Sequence, residues 1–280
     1  MGKEILISVQ ELQKNTDCIV FDCRFVLDDT DAGFEDYLES HIPGAVYAHL
    51  DNDLSGPLNG GGGRHPLPAA DQFAAFLARS GWRPGKLLVA YDDAGGAIAA
   101  RLWWLMKYFG HNHAVLLDGG IPAWWAAGLA LESGQAKISA QPAASLKGDD
   151  SLALTTAQVI DGLSGKEIVL ADARAAERFS GEIEPIDTVA GHIPGSVSYP
   201  YNLNLNKVGT FKPVGELYSD LNTLIGAHRA ENLVHMCGSG VTACNNLFAA
   251  ELAGLAGSKL YVGSWSEWIQ DASRPVGLMV

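Results

Sequence analysis

The 280-residue sequence predicts an α/β protein built from two tandem copies of one domain, each with a mainly parallel sheet covered by helices on both faces. One observation is that short apolar runs alternate with helical stretches. This alternation is typical of parallel sheets, because their crossover connections place helices on the sheet faces. The second observation is that the chain repeats itself. Helices are predicted at 73–80, 97–109, 217–227 and 241–253.

Four landmarks occur in the same order in both halves of the chain. They are an apolar run ending in Asp-x-Arg at 18–24 and 167–174, His-Ile-Pro-Gly at 41–44 and 192–195, the runs 87–92 and 232–237, and the segments 117–124 and 261–268. We interpret this order as a duplication, with domains at 1–130 and 152–280, each long enough to bury its own core. The stretch 131–151 lacks a helical period and is predicted to be a surface linker.

Composition argues against several classes of protein. Apolar residues make up 48% of the sequence and charged residues 18%, as in a globular protein, and no apolar run approaches the length of a membrane span. The N-terminus enters a strand-like segment without the pattern of a secretory signal. A formal net charge of −13 repels phosphate backbones, so we expect neither nucleic acid nor a membrane as a partner.

The four cysteines follow neither a disulfide framework nor the spacing of metal ligands. This usage favours a reducing, cytoplasmic compartment and predicts no metal site. Cys18 and Cys23 flank an apolar strand and are interpreted as core residues. Cys244 is predicted to have a packing role, with a disulfide to Cys237 under oxidation as the alternative.

Cys237 is the predicted nucleophile. It follows the apolar run 232–236 and opens the sequence Cys-Gly-Ser-Gly-Val-Thr-Ala, which leads into a helical stretch. A cysteine between a strand and a helix meets converging backbone N–H groups and the positive end of the helix dipole, which favour its thiolate. Ligands of open parallel sheets also bind at the carboxyl ends of the strands. The counterpart in the first half is Asp92, which cannot carry sulfur, so only the second half is predicted to be catalytic.

Two other interpretations of this cysteine start from the residues alone. One is a buried apolar cysteine beside a Gly-rich turn. The other is a Cys-dependent phosphatase, which needs an arginine at the sixth position after the cysteine to clamp the phosphoryl oxygens. Ala243 occupies that position, so phosphatase activity is disfavoured.

The tandem copies, the Asp-x-Arg and His-Ile-Pro-Gly motifs and the single Cys237 loop resemble the rhodanese superfamily, in particular its two-domain sulfurtransferases, over nearly the whole chain. Gly238 and Ser239 are similar to the 3-mercaptopyruvate type, since the thiosulfate type tends to place basic residues there. The resemblance implies that Cys237 takes a sulfane sulfur from 3-mercaptopyruvate, or alternatively from thiosulfate. The resulting persulfide would pass the sulfur to a thiol such as thioredoxin or to cyanide. No metal and no organic cofactor are implied, and a non-enzymatic rhodanese-like binding module is a more distant alternative.

The resemblance also implies which groups surround the persulfide and bind the donor. The backbone amides of the loop, together with the Ser239 hydroxyl, would stabilise the persulfide; the loop residues concerned are Gly238, Gly240, Val241 and Thr242. Arg178 matches the family's donor-binding arginine. Arg174 is expected to join it or to hold the strand against the loop. The family's second substrate arginine follows a Glu-Pro pair, where this sequence has Ile186, and we expect this departure to weaken donor binding.

Asp51 and His65 match an aspartate and a histidine of the first domain in this family that face the cysteine. With Ser239 they would form a proton relay to the departing enolate. The alternative is that Asp51 caps a turn and that His65 is an exposed loop residue. A glycine run at 60–63 lengthens the loop between them, and Arg64 adds a further cation there.

Overall fold

The computed structural model describes residues 5–58 and 61–279. Our expectations for residues 1–4, for Gly60 and for Val280 lie outside these ranges. The chain forms two compact units. The first unit comprises Met1–Gly56, Pro68–Asp149 and Asn206–Phe211, and the second comprises Pro57–Leu67, Asp150–Leu205 and Lys212–Val280. The segment 57–67 therefore belongs to the unit that contains Cys237, although it lies in the first half of the sequence.

The first unit contains, within its described residues, a five-stranded parallel sheet with the order β1-β5-β4-β2-β3. Its strands are β1 (Leu6–Ile7), β2 (Cys18–Asp22), β3 (Val46–Tyr47), β4 (Leu87–Tyr91) and β5 (Ala114–Leu117). Its helices are α1 (Val9–Lys14), α2 (Ala32–Glu39), α3 (Leu50–Asp53), α4 (Ala70–Arg79), α5 (Ala99–Tyr108) and α6 (Gly120–Ala126). Helix α1 begins at a capping box, in which the side chains of Ser8 and Glu11 each accept the other's backbone amide.

The second unit repeats this arrangement in its described residues. Its strands are β6 (Ala153–Leu154), β7 (Val169–Asp172), β8 (Val197–Ser198), β9 (Leu233–Met236) and β10 (Lys259–Tyr261). Its helices are α7 (Thr156–Ser164), α8 (Ala176–Ser180), α9 (Val214–Ile225), α10 (Ala243–Leu252) and α11 (Ser264–Trp268). The parallel sheet has the order β6-β10-β9-β7-β8, which is the order of the first sheet copy for copy. The predicted duplicated α/β fold is confirmed.

All four predicted helices are present as α4, α5, α9 and α10, with ends shifted by a few residues. Helix α9 begins directly after Pro213, whose restricted φ suits the entry to a helix. It ends before Gly226, whose φ of 61° leaves the helical region. Helix α10 begins two residues later than predicted, because Val241 and Thr242 belong to the cysteine loop.

The core of the second unit holds the cysteine loop at the carboxyl end of an inner strand of the sheet. All four residues of β9 are buried, since helices cover both faces of the parallel sheet. Val234 and Met236 pack on one face with Trp265 and Trp268. The strand therefore holds the residue that follows it, Cys237, at a fixed point at its carboxyl end.

The segment predicted as a linker lies along the first unit and is tied to it by backbone hydrogen bonds. His41 and Glu132 exchange two such bonds, each 2.9 Å long. Further along, the amide of Gln141 donates to the carbonyl of Ala78 at 2.9 Å, and that of Asp149 donates to a carbonyl at the end of α5 at 2.9 Å. These bonds explain how a stretch without a helical period keeps a defined path.

Three properties of the described residues bear on function. The four cysteines are free. No group of three or more His, Cys, Asp or Glu side chains in these ranges is placed to hold a metal ion. The helices seen there include none with the length and apolar character needed to cross a membrane.

Candidate active site

Cys237 lies directly after β9, and the loop 238–242 leads from it into α10. Its side chain is buried, with 2% of the residue exposed. Gly240 has a φ of 76°, and a Cβ at this position would collide with the carbonyl oxygen of Val262. Only glycine fits such a left-handed, close-packed position without strain, so the tight curl of the loop depends on this residue.

Residues 263–266, at the start of α11, hold the backbone of Cys237 from the other side. The amide of Cys237 donates to Ser264 Oγ at 3.1 Å, and the amide of Trp265 donates to the Cys237 carbonyl at 3.0 Å. The amide of Ser266 donates to the Gly238 carbonyl at 2.8 Å. Ser264 itself has a φ of 51°, a strained conformation for a residue with a Cβ. The cysteine is thus fixed by hydrogen bonds on both sides.

The first unit has a counterpart of this loop, with a carboxylate in place of the thiol. Asp92 follows β4 and is 1% exposed. Its Oδ1 accepts the amides of Ala94 at 2.9 Å and Gly96 at 2.8 Å, and its Oδ2 accepts those of Ile98 at 2.8 Å and Ala99 at 2.9 Å. This loop of the fold therefore converges four N–H groups on one anion.

Two guanidinium groups lie beside Gly238. A Cβ at Gly238 would lie 3.2 Å from Arg64 Nη2, 3.6 Å from Arg178 Nη2 and 3.7 Å from Arg178 Nη1. Asp187 joins the two arginines, since its Oδ1 accepts Arg64 Nη1 at 2.7 Å and its Oδ2 accepts Arg178 Nη2 at 2.9 Å. The cations that the loop sequence lacks are therefore supplied by α8 and by the segment 57–67.

Glu184 holds the Arg178 guanidinium from its other edge. Arg178 Nε donates to the two Glu184 carboxylate oxygens at 3.0 and 3.1 Å. Burial by itself would raise the pKa of Glu184, but the hydrogen bonds from Arg178 and from the amides of Asp187 and Ile186 lower that pKa below its ordinary value. The Ile186 side chain is exposed, so only its backbone takes part in this arrangement.

Arg174 does not fit the substrate-binding role that we considered for it. Its side chain is 1% exposed, and its Nε and Nη2 donate to Asp172 at 2.7–3.1 Å. Nη2 also donates to the carbonyl of Gly191 at 2.7 Å, Nη1 donates to Glu184 at 3.3 Å, and the group lies over the ring of Trp265. Every guanidinium nitrogen is therefore already engaged with the protein. The first unit, which has no cysteine at Asp92, contains the same Asp-x-Arg pair, so we assign this motif to the fold.

Ser239 and His65 are brought together although they lie 174 residues apart in the sequence. Ser239 Oγ is 2.7 Å from His65 Nδ1, and both residues are buried. The segment that carries His65 packs closely on the first turn of α11. A Cβ at Gly63 would lie 2.7 Å from Ser266 Oγ, which itself accepts the amide of Arg64 at 3.0 Å. His65 is therefore not an exposed loop residue.

Asp51 lies in the first turn of α3, in the first unit, and its backbone amide donates to His49 Nδ1 at 3.1 Å. The turn is thus capped by His49 rather than by Asp51. Participation of Asp51 in a proton relay stays a prediction.

His235, two residues before Cys237, is a buried histidine that the sequence did not single out. Burial lowers its pKa from 6.5 to about 3, so the ring is neutral at physiological pH. Neither ring nitrogen has a hydrogen-bond partner in the described structure. The sequence feature that could have pointed to His235 is its position as a lone polar residue in an apolar strand.

Asp187, Ser264 and Ser266 were also missed. The repeat places the segment 261–268 opposite 117–124, and in both units this segment binds the backbone at the cysteine position. In the first unit the amide of Ile121 donates to the Asp92 carbonyl at 3.0 Å, as that of Trp265 does to Cys237. The repeat therefore contained the information that this segment borders the site.

A model of the Rhodanese-like domain family matches residues 8–127 and 155–271. The chain is 46% identical to the probable 3-mercaptopyruvate sulfurtransferase of Pseudomonas aeruginosa, over 99% of both chains. It is 39% identical to the putative thiosulfate sulfurtransferase SseB of Mycobacterium tuberculosis, over 98% of this chain and 97% of that protein. The solved structure of 3-mercaptopyruvate sulfurtransferase from Leishmania major has a TM-score of 0.85 and 30% identity, and the match covers 98% of this chain and 77% of that chain.

Proposed function

This chain belongs to the rhodanese-like domain family and is a sulfurtransferase, and we propose that its sulfur donor is 3-mercaptopyruvate and its sulfur carrier is Cys237. The observation that carries the proposal is the Cys237 loop at the carboxyl end of β9, flanked by two arginines and by the Ser239–His65 pair. The acceptor is a thiol such as thioredoxin, or cyanide. A cytoplasmic, reducing setting belongs to the same proposal and is supported by the free cysteines.

In the proposed first step the Cys237 thiolate attacks the sulfur of 3-mercaptopyruvate. An S–S bond forms, the C–S bond of the donor breaks, and its electron pair leaves as the enolate of pyruvate. The proton of the donor thiol is transferred to the enolate carbon, which yields pyruvate and the Cys237 persulfide. In the second step an acceptor thiolate or cyanide attacks the outer sulfur and releases the Cys237 thiolate.

The proton transfer is assigned to Ser239 and His65. Their 2.7 Å contact lets the hydroxyl and the imidazole exchange a proton inside a buried site. Asp51 is proposed as the third member, which would orient the imidazole as the carboxylate of a catalytic triad does.

The loop amides are assigned to the anionic persulfide. The support comes from within the chain, because the counterpart loop of the first unit directs four amides at the Asp92 carboxylate. In the second unit the amides of Gly238, Gly240, Val241 and Thr242 are the proposed donors. Donors that are already oriented stabilise developing charge without reorganisation.

Thiosulfate is the second candidate donor. The two guanidinium groups beside Gly238 favour a dianion more than the loop sequence suggested, and one relative is named a putative thiosulfate sulfurtransferase. We expect kcat/KM for 3-mercaptopyruvate to exceed that for thiosulfate at least roughly tenfold, a difference of about 1.4 kcal/mol in transition-state binding. Steady-state assays with cyanide as acceptor compare the two donors, and a higher kcat/KM for thiosulfate would reverse the assignment.

Intact-mass analysis tests the carrier. Incubation with 3-mercaptopyruvate should add one sulfur atom, which cyanide or dithiothreitol removes. Cys237→Ser should lose both the added sulfur and turnover, while Cys18→Ser, the matched control in the first unit, should keep both. Turnover by Cys237→Ser at the wild-type rate would end the proposal.

A further inference from the structure

We propose that Ser266 is a positioning residue for the Ser239–His65 pair and sets the distance across which the two side chains exchange a proton. This inference rests on the proposed function, because it concerns the proton transfer assigned to that pair. Ser266 lies in the first turn of α11 and is buried. Its hydrogen bonds reach the backbone beside each member of the pair.

The first argument is where these hydrogen bonds end. The Ser266 amide donates to the carbonyl of Gly238 at 2.8 Å, and Gly238 directly precedes Ser239. Ser266 Oγ accepts the amide of Arg64 at 3.0 Å, and Arg64 directly precedes His65. The two proton-transfer groups lie 174 residues apart in the sequence, and one residue therefore binds the backbone that carries each of them.

The second argument is that the Ser266 hydroxyl is fixed in direction. It donates its proton to the carbonyl of Gly263 at 3.2 Å, which leaves the lone pairs of the oxygen to accept the Arg64 amide. A Cβ at Gly63 would lie 2.5 Å from the Gly263 carbonyl oxygen and 2.7 Å from Ser266 Oγ. The segment 57–67 therefore reaches the hydroxyl only because residue 63 is glycine.

The third argument comes from the copy that has no thiol. The repeat places Pro122 where the second unit has Ser266. Proline has neither a backbone N–H nor a hydroxyl, so it can make neither of these bonds. A neighbouring bond is kept in both copies, because Ile121 and Trp265 each donate a backbone amide to the carbonyl at the cysteine position at 3.0 Å. The sheet and the adjoining helix therefore form without the Ser266 bonds, which belong to the copy that carries the nucleophile.

The consequence of losing the hydroxyl is a longer path for the proton. The Arg64 amide would lose its acceptor, and the segment 57–67 would no longer be held against α11 at this point. Proton transfer requires hydrogen-bond reach, and a misplacement of ~1 Å can cost ~100-fold in rate. We therefore expect proton transfer to slow even though both members of the Ser239–His65 pair are still present.

The test is the single-turnover rate of persulfide formation at saturating 3-mercaptopyruvate, followed by rapid quenching and intact-mass analysis. Ser266→Ala should gain sulfur roughly 10-fold more slowly than wild type, a smaller loss than the ~100-fold expected for His65→Ala. The donor concentration that gives the half-maximal rate should not change. Ser196→Ala is the matched control, since Ser196 Oγ also donates to the carbonyl three residues earlier, at 2.6 Å, in the turn before β8.

Two further measurements make the assignment specific. Ser266→Thr and Ser266→Val introduce side chains of nearly equal volume, and only threonine keeps the hydroxyl, so Ser266→Thr should gain sulfur faster than Ser266→Val. Removal of the persulfide sulfur by cyanide needs no proton from the pair, so loaded Ser266→Ala should lose it at the wild-type rate. Equal rates for the threonine and valine variants would overturn the inference, because the hydroxyl would have no part. Equal slowing of sulfur gain and sulfur loss would also overturn it, because the damage would then lie in the Cys237 loop as a whole.

The inference and the proposed function fail in different ways. If wild type gains sulfur and Ser266→Ala gains it at the wild-type rate, the role of Ser266 is wrong and the sulfur carrier stands. If His65→Ala gains sulfur at the wild-type rate, the relay and the role of Ser266 are both wrong. If wild type gains no sulfur from 3-mercaptopyruvate, the proposed function itself is wrong. Circular dichroism and urea unfolding check that each variant is folded.

Discussion

Replacing Asp92 by alanine should destabilise the first unit by several kcal/mol while leaving the chemistry at Cys237 intact in the folded protein. The Asp92 carboxylate accepts four backbone amides of the loop that follows β4, at 2.8–2.9 Å. A buried donor left without a partner costs about 1–3 kcal/mol. Water that enters the vacated space accepts some of the four backbone N–H groups, so we expect the free energy of unfolding to decrease by ~3–5 kcal/mol. That is a large share of the ~5–15 kcal/mol by which folded proteins are usually stable.

The assay is urea unfolding followed by circular dichroism, together with intact-mass analysis of sulfur uptake below the transition. Asp92→Asn should be nearly as unstable as Asp92→Ala, because its amide NH₂ would face N–H groups that are also donors. Asp71→Ala, an exposed carboxylate in the first turn of α4, is the control. A loss below about 1 kcal/mol for Asp92→Ala would refute the view that the carboxylate organises this loop.

Two further predictions concern the proposed proton relay and the buried His235. His65→Ala should lower kcat ~100-fold or more without unfolding the protein, because a proton-transfer group is lost. Asp51→Ala should have the same effect if Asp51 completes the relay. Full kcat in both variants would contradict the proposed relay to Ser239. Burial lowers the pKa of His235 to about 3, so between pH 6.5 and 3 only the unfolded chain binds a proton at this ring. The free energy of unfolding therefore decreases as the pH is lowered through this range, by up to about 1.4 kcal/mol per pH unit. In urea unfolding, the free energy of unfolding of His235→Leu should decrease less between pH 7 and pH 4 than that of wild type. An equal decrease in both proteins would show that the ring is solvated.

The sequence by itself determined the fold class and the duplication, and it located the predicted nucleophile. Alternating apolar runs and helical stretches specify a parallel sheet because the pattern is local and periodic. The repeated order of motifs showed that one arrangement occurs twice, and Asp92 at the cysteine position led to the prediction that only the second copy is catalytic. The Cys237 loop was recognised because strand, loop and helix are contiguous in the chain.

Only the tertiary structure decided which side chains meet. Arg174 looked like a candidate for substrate binding, but its neighbours Asp172, Glu184 and Gly191 occupy it completely. Arg64 was noted only as a further cation in a lengthened loop, yet the segment 57–67 belongs to the second unit and brings it to Gly238. Such contacts join residues that are more than a hundred positions apart and depend on how a loop without periodicity packs. No local pattern encodes that, because burial and hydrogen-bond saturation are properties of the folded neighbourhood rather than of the residue.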